Sequence, residues 1–139
     1  MLTQEENKAI ARRFFEEFWN HANESIVDEL CAENVHLVAP LVGDFNGRDA
    51  LKSFIRPLHD AIENLHFQAV RPLVAEGDTV LCCWRGTGVV RKAIGYFPGN
   101  GDALDFTGVA IYRINNGLIE EEYTEEDGLK AFSQLGLIT

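Results

Sequence analysis

Basic residues are scarce in this chain. Twelve Lys and Arg stand against 22 Asp and Glu, a formal net charge of -10 over 139 residues. Nucleic acid repels such a surface, and no basic stripe offsets it. Anionic membrane surfaces are disfavoured for the same reason. Cysteine is rare too: Cys31, Cys82 and Cys83 are an odd count without the paired spacing of a zinc site. Adjacent strand residues point to opposite faces, so Cys82 and Cys83 are badly placed to bridge each other. Reduced thiols in a cytoplasmic protein fit this usage. His21, His36, His59 and His66 include no pair at the helical i, i+4 spacing of a zinc site, so no metal is expected. No Gly-rich phosphate loop, nucleophile elbow or Cys/His nucleophile pattern occurs. No apolar run is long enough to span a bilayer. No basic start followed by an apolar run marks a signal peptide. Nothing repeats and no linker divides the chain, so residues 1–139 read as one domain.

Apolar patterning is abundant. Thr3 followed by Glu6 forms a capping box at the start of a helix. Ile10, Phe14 and Phe18 recur at spacing four, flanked by Ala11, Phe15 and Trp19, a wide and unusually aromatic stripe. A second short helix is expected over Ser25–Cys31, capped by Asn23 or Ser25, then a short strand over Val35–Ala39. Pro40 and the Gly43–Gly47 segment read as a loop. A third helix runs from about Arg48 toward Ile62, with Leu51, Phe54, Ile55, Leu58 and Ile62 at helical spacing. Pro57 inside it predicts a kink or a restart.

From Leu65 the period changes to two. A strand over Leu65–Val70 leads through Glu76-Gly77-Asp78 to a long strand over Thr79–Val89, with Val80, Cys82 and Trp84 on one face. A Gly/Pro loop over Gly95–Gly101 precedes a strand over Leu104–Ile114. Asn115-Asn116-Gly117 is a hairpin turn, because Asn and Gly tolerate positive φ. Ile119–Thr124 returns as the last long strand, with Tyr123 on the Ile119 face, and a helix over Leu129–Leu135 closes the chain. Helices first and hairpin-linked strands after imply an α+β fold: a cone-shaped barrel, with a strongly curved, mostly antiparallel sheet and N-terminal helices over its concave face.

This order, together with Glu76-Gly77-Asp78-Thr79-Val80, Tyr112-Arg113-Ile114, Gly117, Ile119, Glu121-Glu122, Asp127 and Gln134-Leu135-Gly136, resembles the SnoaL-like polyketide cyclase family of the nuclear transport factor 2-like superfamily. The resemblance implies cofactor-independent acid/base chemistry on an aromatic polyketide ester, with an Asp near the chain end as acid/base. Asp127 is the match for that acid, with Tyr123 as the partner donor. Asp127 also directly precedes the final helix, where it is placed to cap it. The implied ligand pocket is lined by Phe14, Phe18, Phe54, Leu58, Trp84 and Phe106. His36 and His59 meet there if the cavity resembles that of the superfamily's dehydratases. Two departures stand out. Many members read Gly-Thr-His where this chain reads Gly86-Thr87-Gly88. Ala39 stands where related ketosteroid isomerases carry their base, and Val109 or Ala110 where they carry an oxyanion acid, so ketosteroid isomerisation is disfavoured.

Three functions fit: a small enzyme acting on an apolar carbonyl compound, a module that binds a small apolar molecule, and a homodimerisation domain using the exposed sheet face. A buried carboxylate of raised pKa facing the cavity discriminates the first from the second. If Asp127 is the acid/base, Asp127→Asn abolishes turnover while the fold survives. If it is only a cap, the same change touches stability alone.

Overall fold

The computed structural model describes residues 2–138. Helix α1 spans Gln4–Phe14. Its N-terminus carries the capping box: Glu6 N donates to Thr3 Oγ1 at 3.1 Å, and Thr3 N donates to Glu6 Oε2 at 2.7 Å. Thr3→Ala is expected to cost about 1 kcal/mol in chemical denaturation. The helix then widens into a π-helical segment, Phe15–Asn20. The wider turn buries Phe14, Phe15, Phe18 and Trp19 together. Phe14 and Phe18 stack with ring centroids 4.6 Å apart. Asn20 ends the segment by clamping a strand edge: its side chain donates to Phe67 O at 2.9 Å and accepts from Phe67 N at 2.7 Å. That contact satisfies a backbone edge otherwise open to another chain.

Helix α2 covers Ser25–Leu30, with Asn23 Oδ1 accepting from Ser25 N and Oγ. The chain turns extended at Cys31, so β1 runs over Cys31–Ala39, longer than the predicted strand. The predicted loop at 43–47 contains a strand instead: β2, Gly43–Asn46, pairs antiparallel with β1. Helix α3 runs unbroken over Arg48–Ala61 with Pro57 inside. Strands β3 (Ile62–Ala69), β4 (Val74–Glu76), β5 (Thr79–Val90), β6 (Asp102–Asn115) and β7 (Leu118–Glu126) follow, and α4 (Gly128–Gln134) closes the fold.

The sheet order is β2-β1-β7-β6-β5-β3, with β4 beside β5. All neighbours are antiparallel except β1 and β7, which run parallel. The sheet is strongly curved and does not close. The helices bury their aromatic stripe against its concave face, and one hydrophobic core results. The β6–β7 hairpin turns at Asn116 (φ 50°) and Gly117 (φ 80°), the two positive-φ positions of a type I′ turn.

Two steps into β7 the ladder slips. Ile114 pairs with Ile119, but Arg113 pairs with Glu121, so Glu120 is a bulged extra residue. Its carboxylate bonds Arg113 and accepts from Asn115 Nδ2 at 2.9 Å. A one-residue insertion exchanges the two faces of everything that follows. Ile119 is fully buried before the bulge; Glu122 and Thr124 are buried after it. Tyr123 therefore does not share the Ile119 face: it points outward and is 37% exposed.

Candidate functional site

The concave face forms a narrow, partly open cavity with about 500 Å³ of space between atoms, its mouth included. Six of its lining residues are aromatic: Phe15, Trp19, Phe67, Trp84, Phe97 and Phe106. They form a chain of steeply angled neighbours, with Trp19–Phe67, Phe67–Trp84 and Trp84–Phe106 centroids 5.5, 5.2 and 5.1 Å apart. Glycine permits this packing. A Cβ on Gly108 would lie 2.3 Å from Trp84 Cζ2. Gly108→Ala is thus expected to displace the Trp84 indole, cost about 1–3 kcal/mol, and change the tryptophan fluorescence spectrum. A Cβ on Gly88 would lie 2.5 Å from Ile62 Cγ2 and 3.2 Å from Glu63 O, so a side chain there would force its neighbours to move.

The polar wall is β7. Beyond the bulge, alternation turns Glu122, Thr124 and Glu126 inward, and all three line the cavity. Glu122 is 2% exposed. Trp19 Nε1 donates to its Oε1 at 3.0 Å, and Thr124 Oγ1 lies 3.3 Å from its Oε2. Burial pushes its pKa up to about 7 against the polar contacts of Trp19, Tyr112 and Thr124, and the charge of Glu126 adds to the rise. Glu126 sits nearer the surface. Leu41 N donates to its Oε1 at 3.2 Å, and Oε2 has no hydrogen-bond partner among the described residues. Burial pushes Glu126 to about 7 as well, opposed by the Leu41 amide and aided by Glu125.

Behind Glu122 lies a second buried group. Tyr112 faces it across the β6–β7 ladder. Its hydroxyl is buried and meets no partner at hydrogen-bonding geometry among the described residues. Burial holds the phenol well above its ordinary pKa, and Glu122 adds to the effect. The Cys31 and Cys82 thiols are likewise pushed up to about 12, chiefly by burial. They are small core residues, not nucleophiles. All three cysteines are free, and Cys82 and Cys83 are differently buried, as alternate faces require. Among the described residues no three His, Cys, Asp or Glu side chains gather into a metal site, and no helix is long and apolar enough to cross a membrane.

Of the residues expected at the pocket, Leu58, Trp84 and Phe106 line the cavity. Phe14, Phe18 and Phe54 are buried in the core outside the lining: Phe14 packs edge-on against Tyr112, and Phe54 stacks on Phe45 at 4.0 Å. His36 and His59 do not meet. His36 Nε2 pairs with Asp44 Oδ1 at 2.6 Å, and His59 Nε2 lies 2.7 Å from Trp19 O. Asp127 is exposed and caps α4, its Oδ1 accepting from Lys130 N at 3.1 Å. It borders a shallow surface groove with Leu129 and Lys130, apart from the aromatic cavity. Tyr123 lies on the outer sheet face beside Glu125, whose hydrogen bond raises its pKa.

Glu122, Glu126, Thr124 and Trp19 are the cavity groups that sequence periodicity overlooked. One signal pointed to them. Three successive glutamates, Glu120 to Glu122, two residues after the Asn-Gly turn put a carboxylate on both faces of the strand whatever its register. Ala39 and Ala110 also line the cavity, so neither position supplies an acid or base.

A profile of the SnoaL-like polyketide cyclase family matches residues 9–135. No curated protein matches the chain. Among solved structures, TsrD from Streptomyces laurentii superposes with a TM-score of 0.83 at 22% identity, covering 99% of this chain and 100% of that one. A protein from Jannaschia sp. CCS1, provisionally described as a SnoaL-like polyketide cyclase, gives 0.84 at 19% identity, covering 98% and 95%. An NTF2-like protein from Burkholderia xenovorans LB400 gives 0.77 at 18% identity, covering 97% and 99%. These likenesses show the fold. With the profile covering nearly its whole length, the chain belongs to the SnoaL-like polyketide cyclase family.

Proposed function

We propose that the protein is an acid/base enzyme acting on a small enolisable carbonyl compound bound in the aromatic cavity. One observation carries this reading: two carboxylates, Glu122 and Glu126, face an apolar cavity with pKa values near neutrality. With both pKa values near 7 the two sites together hold about one proton at neutral pH, and the charge of Glu126 favours protonation of Glu122. Glu126 is the base. Its free oxygen removes a proton from the carbon next to the substrate carbonyl, and the electron pair moves onto the carbonyl oxygen. Protonated Glu122, directly or through the Thr124 hydroxyl, donates a hydrogen bond to that developing oxyanion. Return of the proton to a different carbon completes an isomerisation; attack of the enolate carbon on a second carbonyl of the same molecule, whose oxygen then takes the proton back from Glu126, completes an intramolecular aldol closure.

The test is exchange of α-protons into deuterated water, followed by NMR over a panel of small ketones. Wild type is expected to accelerate exchange, and Glu126→Gln to remove most of the acceleration. If Asp127→Asn removes it and Glu126→Gln does not, the acid/base role passes to Asp127. The narrowness of the cavity favours a second reading, a binding module. Ligand-induced thermal stabilisation without any α-proton exchange is its signature.

Self-association belongs to the same proposal. Leu81, Ile111, Tyr123 and Val38 form one cross-strand row over β5, β6, β7 and β1, none fully buried. A second copy of the chain packing on this row would cover it. Ile111→Lys is expected to convert a dimer to monomer in light scattering. A wild type that is monomeric at high concentration ends this part of the proposal.

A further inference from the structure

The charge balance of the cavity is incomplete. Among the described residues its only charged lining groups are Glu122 and Glu126, and no Lys, Arg or His joins them. The nearest titratable groups around the pair are acidic or neutral; Arg48 and Arg12 act on Cys31 and Cys82 behind Glu122 but do not line the cavity. Cys31 on β1, Cys82 on β5 and Tyr112 on β6 surround Glu122, and Glu125 lies beside Glu126. His59 is turned to the Trp19 carbonyl. Near neutrality the two carboxylates together carry about one negative charge, and no basic side chain of the lining neutralises it. A buried charge without a partner is costly, and native sites compensate it. The remaining walls are apolar apart from Thr124 and include six aromatic rings, and aromatic π faces attract cations most strongly when water is excluded. A chain of net charge -10 also draws cations toward the site.

We infer that the cavity takes a compact organic monocation, so that the carbonyl substrate carries a protonated or quaternary nitrogen seated between the two carboxylates and the aromatic walls. This assignment rests on reading the cavity as the substrate site. The nitrogen balances the one negative charge, Glu122 keeps its proton, and Glu126 stays ionised as the base. Small size is part of the inference, since the free space is narrow. Cation binding favours the ionised pair, so affinity rises with pH through neutrality.

Calorimetry with tetramethylammonium, and with tert-butanol as its uncharged counterpart, tests the assignment on the intact protein. Tetramethylammonium is expected to bind at least about tenfold more tightly than tert-butanol. Its affinity should rise by about tenfold between about pH 6 and about pH 8, with protons released on binding. Glu122→Gln/Glu126→Gln, shown folded by circular dichroism, should lose both the preference and the pH dependence. Equal affinities, absence of tetramethylammonium binding, or an unchanged preference in the double variant each overturn the inference. The catalytic reading fails separately: cation preference without α-proton exchange in any ketone leaves a cation-binding site that is not an acid/base enzyme.

Discussion

Glu126→Gln is expected to lower enzyme-dependent α-proton exchange by roughly 10²- to 10⁴-fold, the usual contribution of a positioned general base. The substitution is nearly isosteric. The amide side chain keeps an oxygen for the Leu41 N–H, so the strand end and the 41 loop stay in place. What the change removes is a group that binds a proton near neutrality. A carboxylate held at about 7 is a stronger base than an ordinary glutamate and is still about half ionised at neutral pH. The expected pH profile follows. Exchange rises as Glu126 ionises and falls once Glu122 loses the proton with which it polarises the carbonyl, a bell centred near neutrality. Because the two pKa values lie close together, the limbs overlap and neither reports one residue alone. Glu122→Gln retains an N–H donor and should flatten the alkaline limb more than it lowers the rate at the optimum. An unchanged rate in Glu126→Gln, with the fold intact, rejects the mechanism.

The second large effect is on stability. Wild type is expected to lose stability as pH rises from about 4.5 to about 7, and Glu122→Gln to remove the share of that loss that belongs to Glu122, the rest belonging to Glu126. The sign follows from proton binding. Glu122 has an ordinary pKa of 4.5 in the unfolded chain and about 7 in the folded one. Between those values the folded state holds the proton and the unfolded state releases it, so each pH unit favours unfolding by about 1.4 kcal/mol. Stability is fully retained below 4.5, falls through the window, and levels above the folded pKa. Over the full shift the effect is about 3 kcal/mol, a large fraction of a small domain's stability. Comparing urea midpoints of wild type and Glu122→Gln at about pH 4 and about pH 8 isolates this group. The depressed carboxylates Glu29 and Asp105, paired with Arg13 and Arg85 on the surface, act with the opposite sign at lower pH and cancel in the comparison. Equal pH dependence in the two proteins rules out the buried-carboxylate description.

Most of the architecture was legible because it rests on local chemistry. The Thr3–Glu6 capping box, the aromatic stripe of α1, the amphipathic period of α3, and the Asn116-Gly117 turn each state their structure within a few residues. β2 escaped because Gly43–Asn46 is short and loop-like in composition, and pairs only through β1. Pro57 failed to interrupt α3, since the buried Leu51, Phe54, Ile55 and Leu58 face outweighs one missing hydrogen bond. The cavity was legible in part. Trp84 and Phe106 lie on regular strands and fell on the expected face, whereas Phe14 and Phe54 sit behind the walls because a stripe of periodic aromatics does not say which ring reaches the cavity and which packs behind it.

The sequence by itself determined the α+β class, the hairpin-rich sheet, the aromatic concave surface and the resemblance to the SnoaL-like family. Those follow from period, turn chemistry and composition, which act between near neighbours. The identity of the inward-facing carboxylates was decided only in three dimensions. One extra residue at Glu120 exchanges the faces of β7, placing Glu122 and Glu126 in the cavity and Tyr123 outside. Their raised pKa values then come from burial by the π-helical segment, α3, β1, β3, β5 and β6, elements brought together from the length of the chain. A bulge is a mismatch between two strands, so it has no signature in either strand alone.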